Sequence, residues 1–242
     1  MKYYGTDIAP GSSLDVSPER WPGVLRLVAH QLRTPTGLLA GYTEMLADDR
    51  IQADPSRRHH ILDEIRQNLR ELNRLATQLQ EGSRAAAGAL PIRRRRLALR
   101  PLIEESLRSA APLCELRSVD LESKPVGEVA GHLVGDRYYL KLCLVNLIEN
   151  AAKYGKPGGR VQVVVEPLAG MIELRVADEG TGLGRNASHL FAPFVQGAAK
   201  GEGVGLGLTL VKTIVEAHGG SMAWRSESGG SYVGFRLPWS RN

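Results

Sequence analysis

The sequence predicts a helical hairpin that forms a dimeric four-helix bundle, followed by an α+β sandwich domain with a mixed sheet. Apolar residues recur at three- and four-residue intervals over residues 24–46 and 61–79, as on amphipathic helices. Beyond residue 90, segments of alternating polarity are interleaved with helical patterns, which is typical of α+β domains. The chain therefore divides into residues 1–17, a tail or upstream connector, 18–84, the hairpin, and 85–242, the sandwich.

Two long amphipathic helices make up the predicted hairpin. Ser17–Pro18 offers an N-cap followed by a proline at the first helical position, and Pro22 allows a start one turn later. Asp54 caps the second helix, Pro55 opens it, and Glu81–Gly82 is its predicted end. A lone hairpin cannot bury both apolar stripes well, so two hairpins are expected to pair and the chain to form a homodimer.

The sandwich is predicted to alternate short strands and helices, with the helices covering one face of the sheet. The elements expected in chain order are a strand edge at Ile92, Leu97 and Leu99, a helix over 101–116, a strand over 119–121, a helix over 136–154, antiparallel strands over 161–165 and 171–176, a helix over 205–218, and closing strands over 221–225 and 232–237.

Charge is concentrated in one short stretch. The formal net charge is +5 and the isoelectric point about 9.4, which alone would suggest nucleic-acid binding. Six arginines and no acid lie between Arg84 and Arg100, and the rest of the chain carries 25 basic against 26 acidic residues. We therefore expect no nucleic-acid partner. The cluster Arg93–Arg96 is interpreted as a solvated strand or linker, with a phosphate- or membrane-binding patch as the alternative.

Cysteine usage and hydropathy indicate the compartment. Cys114 and Cys143 lie in apolar helical patterns and are expected to be small buried residues of a protein in a reducing compartment. No apolar run reaches the roughly 18 residues that a membrane span needs, and the N-terminus lacks a signal-peptide core. We therefore expect a cytoplasmic chain without a membrane span.

A candidate nucleophile lies in the first helix, in the motif His30-Gln31-Leu32-Arg33-Thr34-Pro35. The apolar neighbours of His30 lie to its side, so its imidazole is expected to be partly exposed and able to attack phosphorus. Thr34 lies one turn further on the same face, and Pro35 removes a backbone donor there. A helical histidine on its own is more often an ordinary residue. That interpretation is kept for His59, His60, His132, His189 and His218.

Two asparagines on the later apolar helix are candidate metal ligands. Asn146 and Asn150 are four residues apart and share a helix face. Their amide oxygens suit a phosphate-bound Mg²⁺, which needs only one or two protein oxygens. Alone, this spacing is more often a polar helix face. The interpretation as a metal site is favoured by Lys153 and Tyr154, which follow directly, and by the glycine motifs further along the chain.

A glycine-rich segment predicts a phosphate site. Gly203, Gly205 and Gly207 alternate into an apolar helix, and Leu208 closes the motif. Free backbone donors and the helix dipole at such a helix start bind phosphate. The segment lacks the Gly-Lys-Ser/Thr of a Walker motif and the early parallel strand of a dinucleotide fold.

A second glycine motif predicts a site for the base. Asp178 ends an apolar strand and precedes Gly180 and Gly182, which permit close approach of a ligand. A carboxylate there accepts a hydrogen bond from the 6-amino group of adenine but faces the carbonyl oxygen of guanine, so it selects ATP over GTP. The alternative is a calcium loop or a simple turn.

In this order, the motifs resemble those of the histidine protein kinases of two-component signalling, over about Val24 to Leu237. The resemblance implies that the chain binds ATP and Mg²⁺ and that His30 receives the γ-phosphoryl group. It implies transfer to an aspartate in the receiver domain of a response regulator, with Thr34 helping to hold the water that later dephosphorylates that partner. It also implies a sensor, on an upstream segment or a separate protein.

The resemblance assigns roles within the nucleotide site as well. Asn150 would be the main metal ligand, with Asn146 beside it. Lys153 would meet the phosphates, and Tyr154 the adenine or ribose. The segment Leu190-Phe191-Ala192-Pro193-Phe194 resembles the phenylalanine box of the family, with a small aromatic core cluster as the alternative, and the residues up to about Glu202 resemble its ATP lid.

Gln31 departs from the family, which usually has glutamate or aspartate next to the histidine. General-base assistance from such a group is typically worth about 100- to 10,000-fold in rate. A glutamine oxygen can fix the imidazole tautomer but stabilises developing positive charge less. Either Gln31 weakens autophosphorylation, or it is a tolerated neighbour. In the first case, Gln31→Glu should raise the initial rate about tenfold or more.

Two rival functions follow from these residues. A hydrolytic ATPase of the same nucleotide fold would have a glutamate where this chain has Asn146, and Glu149 is predicted to be rotated off that face. A weakly active or phosphatase-biased ATP-binding module, working mainly through partner binding, is favoured by Gln31.

Overall fold

The computed structural model describes residues 3–5, 21–124, 132–180, 182–183, 187–195, 205–227 and 230–240. A helical hairpin is followed by helices packed on a mixed sheet. The elements are β1 (Tyr3–Gly5), α1 (Trp21–Leu46), α2 (Asp49–Gln52), α3 (Pro55–Ala86), β2 (Arg95–Leu97), α4 (Leu99–Leu116), β3 (Asp120–Ser123), β4 (His132–Gly135), α5 (Arg137–Tyr154), β5 (Arg160–Leu168), β6 (Met171–Asp178), a 3₁₀ turn (Ala187–Phe191), α6 (Gly207–Ala217), β7 (Ser221–Glu227) and β8 (Gly230–Ser240).

The hairpin consists of α1 and α3, joined by the short helix α2. The carboxylate of Asp54 accepts hydrogen bonds from the backbone N–H groups of Ser56 (3.0 Å) and Arg57 (3.1 Å), and Pro55 opens α3, as predicted. α1 is described from Trp21 onward. The start predicted at Ser17–Pro18 lies outside the described residues.

The second hairpin helix is longer than the sequence predicted. α3 runs to Ala86, so the predicted end at Glu81–Gly82 is wrong, and the helix continues past residue 84. Gly82 is buried, and a Cβ there would lie 3.7 Å from a side-chain atom of Leu206. Gly82 therefore lies inside the helix, next to Leu206 of the second domain. The left-handed residue beyond the helix is Gly88, with φ of 64°.

A mixed sheet forms the base of the second domain. Its strands follow the order β1-β7-β8-β6-β5-β3, and β4 joins β8 to β2. β3 pairs with β5 in parallel and the other pairs are antiparallel. The predicted pairing of the two strands before and after Gly170 is confirmed. This α+β arrangement is the predicted one.

Short strands account for the remaining differences from the prediction. Tyr3–Gly5, assigned to a tail, pairs with residues 224–226 of β7. β4 was not predicted. Leu99 begins α4 and does not belong to the preceding strand, which comprises only Arg95–Leu97. Strands of three or four residues are too short to show a period, so their formation depends on the sheet edge that receives them.

The core lies between the sheet and helices α4, α5 and α6. It includes Leu144 and Ile148 of α5, Ile214 of α6, and Leu174 and Phe235 of the sheet, all fully buried. Burying one such side chain typically stabilises a fold by about 1.5–3 kcal/mol. Both cysteines are buried, as expected.

A smaller apolar cluster joins the hairpin to the second domain. Leu75 of α3 packs with Leu206, just before α6, and with partly buried side chains from both parts of the chain. These are Leu27, Val28, Leu32, Leu79 and Phe194. Within the described residues, none of the helices has both the length and the apolar character needed to cross a membrane.

Candidate active site

Helix α5 brings the two predicted metal ligands close to the hairpin. Asn146 is 4% exposed, and its amide nitrogen donates to the carbonyl of Leu142 at 2.8 Å. Its Oδ1 accepts a hydrogen bond from Nε2 of Gln78 on α3, also at 2.8 Å. Asn150 lies one turn further along α5 and is half-buried. The amides share a region of α5, as the spacing predicted, but a hairpin residue already contacts one of them.

The start of α6 lies against these two asparagines. A Cβ on Gly207 would lie 3.1 Å from Oδ1 of Asn146 and 3.8 Å from Nδ2 of Asn150. Within the described part of the chain, no side chain caps α6, so its first-turn N–H groups are donors suited to an anion. Among the described residues, nothing hydrogen-bonds the buried hydroxyl of Thr209 in that turn. Amide oxygens beside helix N–H groups are a donor set that fits Mg²⁺ and accompanying phosphates.

The predicted phosphate motif also includes Gly205, Leu208 and Gly203. Gly205 has φ of 73°, and a Cβ there would lie 2.7 Å from the carbonyl oxygen of Val195. This glycine is therefore required by the local backbone. Leu208 is half-buried and packs on the main core. Gly203 lies outside the described residues, as do residues 196–204 of the predicted lid.

Asp178 stands at the end of β6, half-buried and held by two hydrogen bonds. Its Oδ1 accepts from the N–H of Gly180 and its Oδ2 from the hydroxyl of Ser231, both at 2.8 Å. Burial raises the pKa of this carboxyl above its ordinary value, although both hydrogen bonds oppose the shift. A Cβ on Gly180 would lie 2.7 Å from both Oδ1 of Asp178 and the carbonyl oxygen of Tyr154. Asp178 and Tyr154, the two residues predicted to contact the nucleoside, are therefore neighbours. Gly182, with φ of 82°, follows them.

Charged side chains connect α3 with α5. Lys153 is almost fully buried, and its Nζ lies 3.9 Å from Glu71 of the hairpin. Arg74 donates two hydrogen bonds to Glu71, at 2.7 and 2.5 Å, and its Nε lies 3.9 Å from Glu149. Burial acts to raise the pKa of Glu71, but Arg74 and Lys153 hold that pKa below its ordinary value. In this structure Lys153, expected at the phosphates, therefore lies against the hairpin.

His30 faces a cavity between the hairpin and the second domain. The cavity has a volume of about 320 Å³. His30, which is exposed, lines it together with Gln31 and Thr34, and Thr34 was predicted to share the helix face of His30. Residues of α3, α4 and α5 complete the lining, including Glu149 and Lys153. The candidate nucleophile and the helix that carries the asparagines thus border the same space.

Sequence reasoning missed a polar stripe on α3. Glu71, Arg74, Gln78 and Glu81 follow one another at three- and four-residue intervals and face the second domain. Gln78 is 4% exposed and Glu81 3%, and Glu81 accepts a hydrogen bond from the hydroxyl of Tyr139 at 3.0 Å. These polar residues recur with the helical period directly beside the apolar stripe, and this pattern could have indicated that a wider face of α3 is buried.

Comparison with known proteins decides the class of the second domain. The model of the family described as histidine kinase-, DNA gyrase B-, and HSP90-like ATPase matches residues 135–241. The sensory/regulatory protein RpfC of Xanthomonas campestris pv. campestris is 32% identical over 222 residues, covering 87% of this chain and 30% of that protein. Residues 135–241 are a catalytic domain of the histidine kinase type.

Solved structures share the fold of the hairpin together with the histidine kinase-type domain. Full-length ShkA in complex with AMPPNP has a TM-score of 0.63 and 21% identity, over 94% of this chain and 47% of that one. Histidine kinase ThkA in complex with the response regulator TrrA has a TM-score of 0.64 and 21% identity, over 92% and 63%. The chain spans less than two thirds of RpfC, ShkA and ThkA.

Proposed function

We propose that this chain is the catalytic core of a homodimeric sensor histidine kinase. It transfers the γ-phosphoryl group of ATP to His30 and from there to an aspartate of a response-regulator receiver domain. The nucleotide bound to ShkA and the regulator bound to ThkA support this choice of donor and partner. We place this activity in the cytoplasm, under the control of an upstream sensor domain or a separate sensor protein.

The observation that carries the proposal is the cavity shared by His30 and α5. An exposed imidazole on the hairpin borders the same space as the helix with the Mg²⁺-suited amides. The N–H groups at the start of α6 lie directly beside those amides. A nucleophile, a phosphate site and a metal site on separate elements are the parts that phosphoryl transfer requires.

In the proposed step, a ring nitrogen of His30 forms a bond to the γ-phosphorus. The bond between that phosphorus and the bridging oxygen breaks, and ADP leaves with the electron pair. Asn150 and Asn146 would hold Mg²⁺, which neutralises phosphate charge when bound. The first-turn N–H groups of α6 orient the phosphates. Lys153 must leave Glu71 to reach them, so the second domain moves relative to the hairpin.

Incubation with γ-labelled ATP tests the proposal. Labelling of the protein should be acid-labile and base-stable, as phosphohistidine is. His30→Ala and His30→Gln should abolish labelling and leave ATP binding near normal, because nucleophile and nucleotide site lie on different elements. His60→Ala, on the exposed side of α3, is the matched control. Persistent labelling of the His30 variants would contradict the assignment, and ATP hydrolysis without labelling would indicate the hydrolytic rival.

The second candidate function is a phosphatase-biased module, favoured by the neutral Gln31. In that case, ATP mainly governs shape and partner binding, and Thr34 positions the water that attacks the phosphorylated regulator. Thr34→Ala should then slow dephosphorylation of the regulator and leave labelling of His30 unchanged. Measuring both rates with the same regulator distinguishes the two functions.

A further inference from the structure

The cavity around His30 contains a carboxylate to which the proposed reaction gives no role. Glu149 of α5 lines this cavity together with His30 and Gln31. With 3.6 residues per turn, Glu149 lies about 60° from Asn146 around the helix. This rotation argued against a role of Glu149 in ATP hydrolysis. It also places the Glu149 side chain on the part of α5 that borders the hairpin.

The surroundings of Glu149 leave its oxygens able to accept hydrogen bonds. Its side chain is 16% exposed, and Nε of Arg74 lies 3.9 Å from its Oε2, beyond hydrogen-bonding range. The short bonds of Arg74 go to Glu71. No hydrogen bond reaches the Glu149 carboxylate from the part of the chain that the structure describes.

Phosphorylation of an imidazole creates a need for such a group. As one ring nitrogen bonds to phosphorus, the ring gains positive charge, and the proton on the other nitrogen becomes more acidic. A carboxylate that accepts this hydrogen bond stabilises the charge, whereas the neutral oxygen of Gln31 does so less. The chain therefore lacks an acid at the position next to His30. Two carboxylates line the same cavity: Glu71, which is hydrogen-bonded to Arg74, and Glu149.

We propose that Glu149 is the carboxylate partner of His30 in phosphoryl transfer and replaces the acid absent at position 31. It accepts the hydrogen bond of the ring N–H, directly or through one water, while the other ring nitrogen forms the N–P bond and ADP leaves with the electron pair. This inference rests on the proposed function.

Charge-neutral substitution is the first test. Glu149→Gln keeps the size of the side chain and removes its charge, so the initial rate of His30 phosphorylation should fall about 100-fold, the lower end of general-base effects. Glu149→Asp, which keeps the charge, should retain a larger share of the rate. Glu104→Gln, exposed on α4 and outside the cavity lining, is the matched control and should match the wild type. Calorimetry with ATP and thermal unfolding accompany each variant.

A second substitution, at Gln31, distinguishes a chemical role of Glu149 from a structural one. Gln31→Glu should raise the rate about 100-fold in the Glu149→Gln background and only about tenfold in the wild type, because one carboxylate replaces the other. A purely structural role of Glu149 would not be restored from position 31. If Glu149→Gln lowers the melting temperature, the two backgrounds are compared at a temperature at which both are folded.

The outcomes distinguish this inference from the proposed function. If wild-type protein labels His30 and Glu149→Gln labels at the same rate, the carboxylate has no such role and the proposed function stands. Equal gains from Gln31→Glu in both backgrounds would also overturn the inference. If the wild type does not label His30, the proposed function fails and the inference fails with it.

Discussion

At the scale of single residues, Asp178 is held in a fixed orientation at the end of β6. Each of its oxygens accepts one hydrogen bond at 2.8 Å, one from the backbone and one from Ser231. These bonds fix the orientation of the carboxylate and leave lone pairs on both oxygens. A half-buried, oriented acceptor is the group that can distinguish the amino group of adenine from a carbonyl oxygen.

Asp178→Asn should weaken ATP binding about tenfold. The amide replaces an oriented acceptor, and loss of such a hydrogen bond typically costs about 1–3 kcal/mol. Isothermal titration with ATP measures the change. Glu179→Gln, at the exposed neighbouring residue, is the control and should bind ATP normally. An unchanged affinity of the Asp178→Asn variant for ATP would refute the role of Asp178 in recognising adenine.

His218 is a buried residue with a structural role, in keeping with its interpretation as an ordinary histidine. Its Nδ1 lies 2.7 Å from the carbonyl oxygen of Ile214, and its Nε2 accepts from the N–H of Asp136 at 3.0 Å. It therefore connects the end of α6 to the N-cap of α5. Burial lowers the pKa of this imidazole, with Arg94 acting in the same direction and the Ile214 carbonyl and Asp136 against it.

Acid should therefore destabilise the fold through His218. Its pKa in the folded protein is below the ordinary 6.5, so the unfolded chain takes up the proton first as pH falls. The contribution of His218 is complete above about pH 6.5 and is lost progressively as pH falls toward the folded pKa. Urea unfolding between about pH 8 and pH 5 measures this loss. His218→Gln should flatten the dependence, whereas His60→Gln, at an exposed site, should leave it as in the wild type.

At the scale of elements, α3 belongs to two interfaces. One side packs on α1, while its polar stripe faces α5. Through Gln78 and Glu71 the hairpin contacts Asn146 and Lys153, two residues assigned to the nucleotide. Nucleotide binding and hairpin docking are thus expected to oppose each other, because the same side chains serve both.

Removing the contact from Gln78 should strengthen nucleotide binding. Gln78→Ala frees Oδ1 of Asn146, and since a hydrogen bond contributes a net of about 0.5–1.5 kcal/mol, affinity for Mg²⁺ and ATP together should rise about two- to tenfold. Titration in the presence of Mg²⁺ measures the change. Gln80→Ala, exposed on the same helix, is the matched control. A weaker affinity in the Gln78 variant would mean that the contact supports the site.

The whole molecule carries an apolar surface that one copy does not cover. Leu38, Met45 and Leu69 of the hairpin are 46%, 46% and 47% exposed. Leu79 belongs, like Leu69, to the apolar stripe of the second hairpin helix, but it packs in the cluster with Leu206. The stripe is thus divided between the second domain and a surface that we assign to a second copy of the chain.

Leu69→Lys should convert the chain of residues 1–242 from dimer to monomer at micromolar concentration, because it places a charge on that surface. Sedimentation equilibrium measures the mass. Leu168→Lys alters a leucine of similar exposure, 42%, on the strand β5, and should leave the dimer intact. A wild-type chain that is monomeric under these conditions would contradict the four-helix bundle.

Local patterns predicted elements whose signals lie within a few residues. The helical period identified α1, α3 and α5, and Asp54–Pro55 marked the start of α3. The same kind of rule failed at Gly82, because a glycine inside a helix and a glycine that ends a helix look alike in the sequence. It also failed for Tyr3–Gly5, since three residues become a strand only where a sheet edge accepts them.

By itself, the sequence determined the chemical groups: an imidazole in a helix, two amides four residues apart, and a carboxylate before a glycine turn. These follow from residue identity and short spacing. Only the tertiary structure decided which of them meet. Gln78 reaches Asn146, 68 residues away in the chain, and Glu149 enters the cavity of His30. Such contacts depend on how α3 packs against α5, which is set by the shapes of many side chains together and not by any local period.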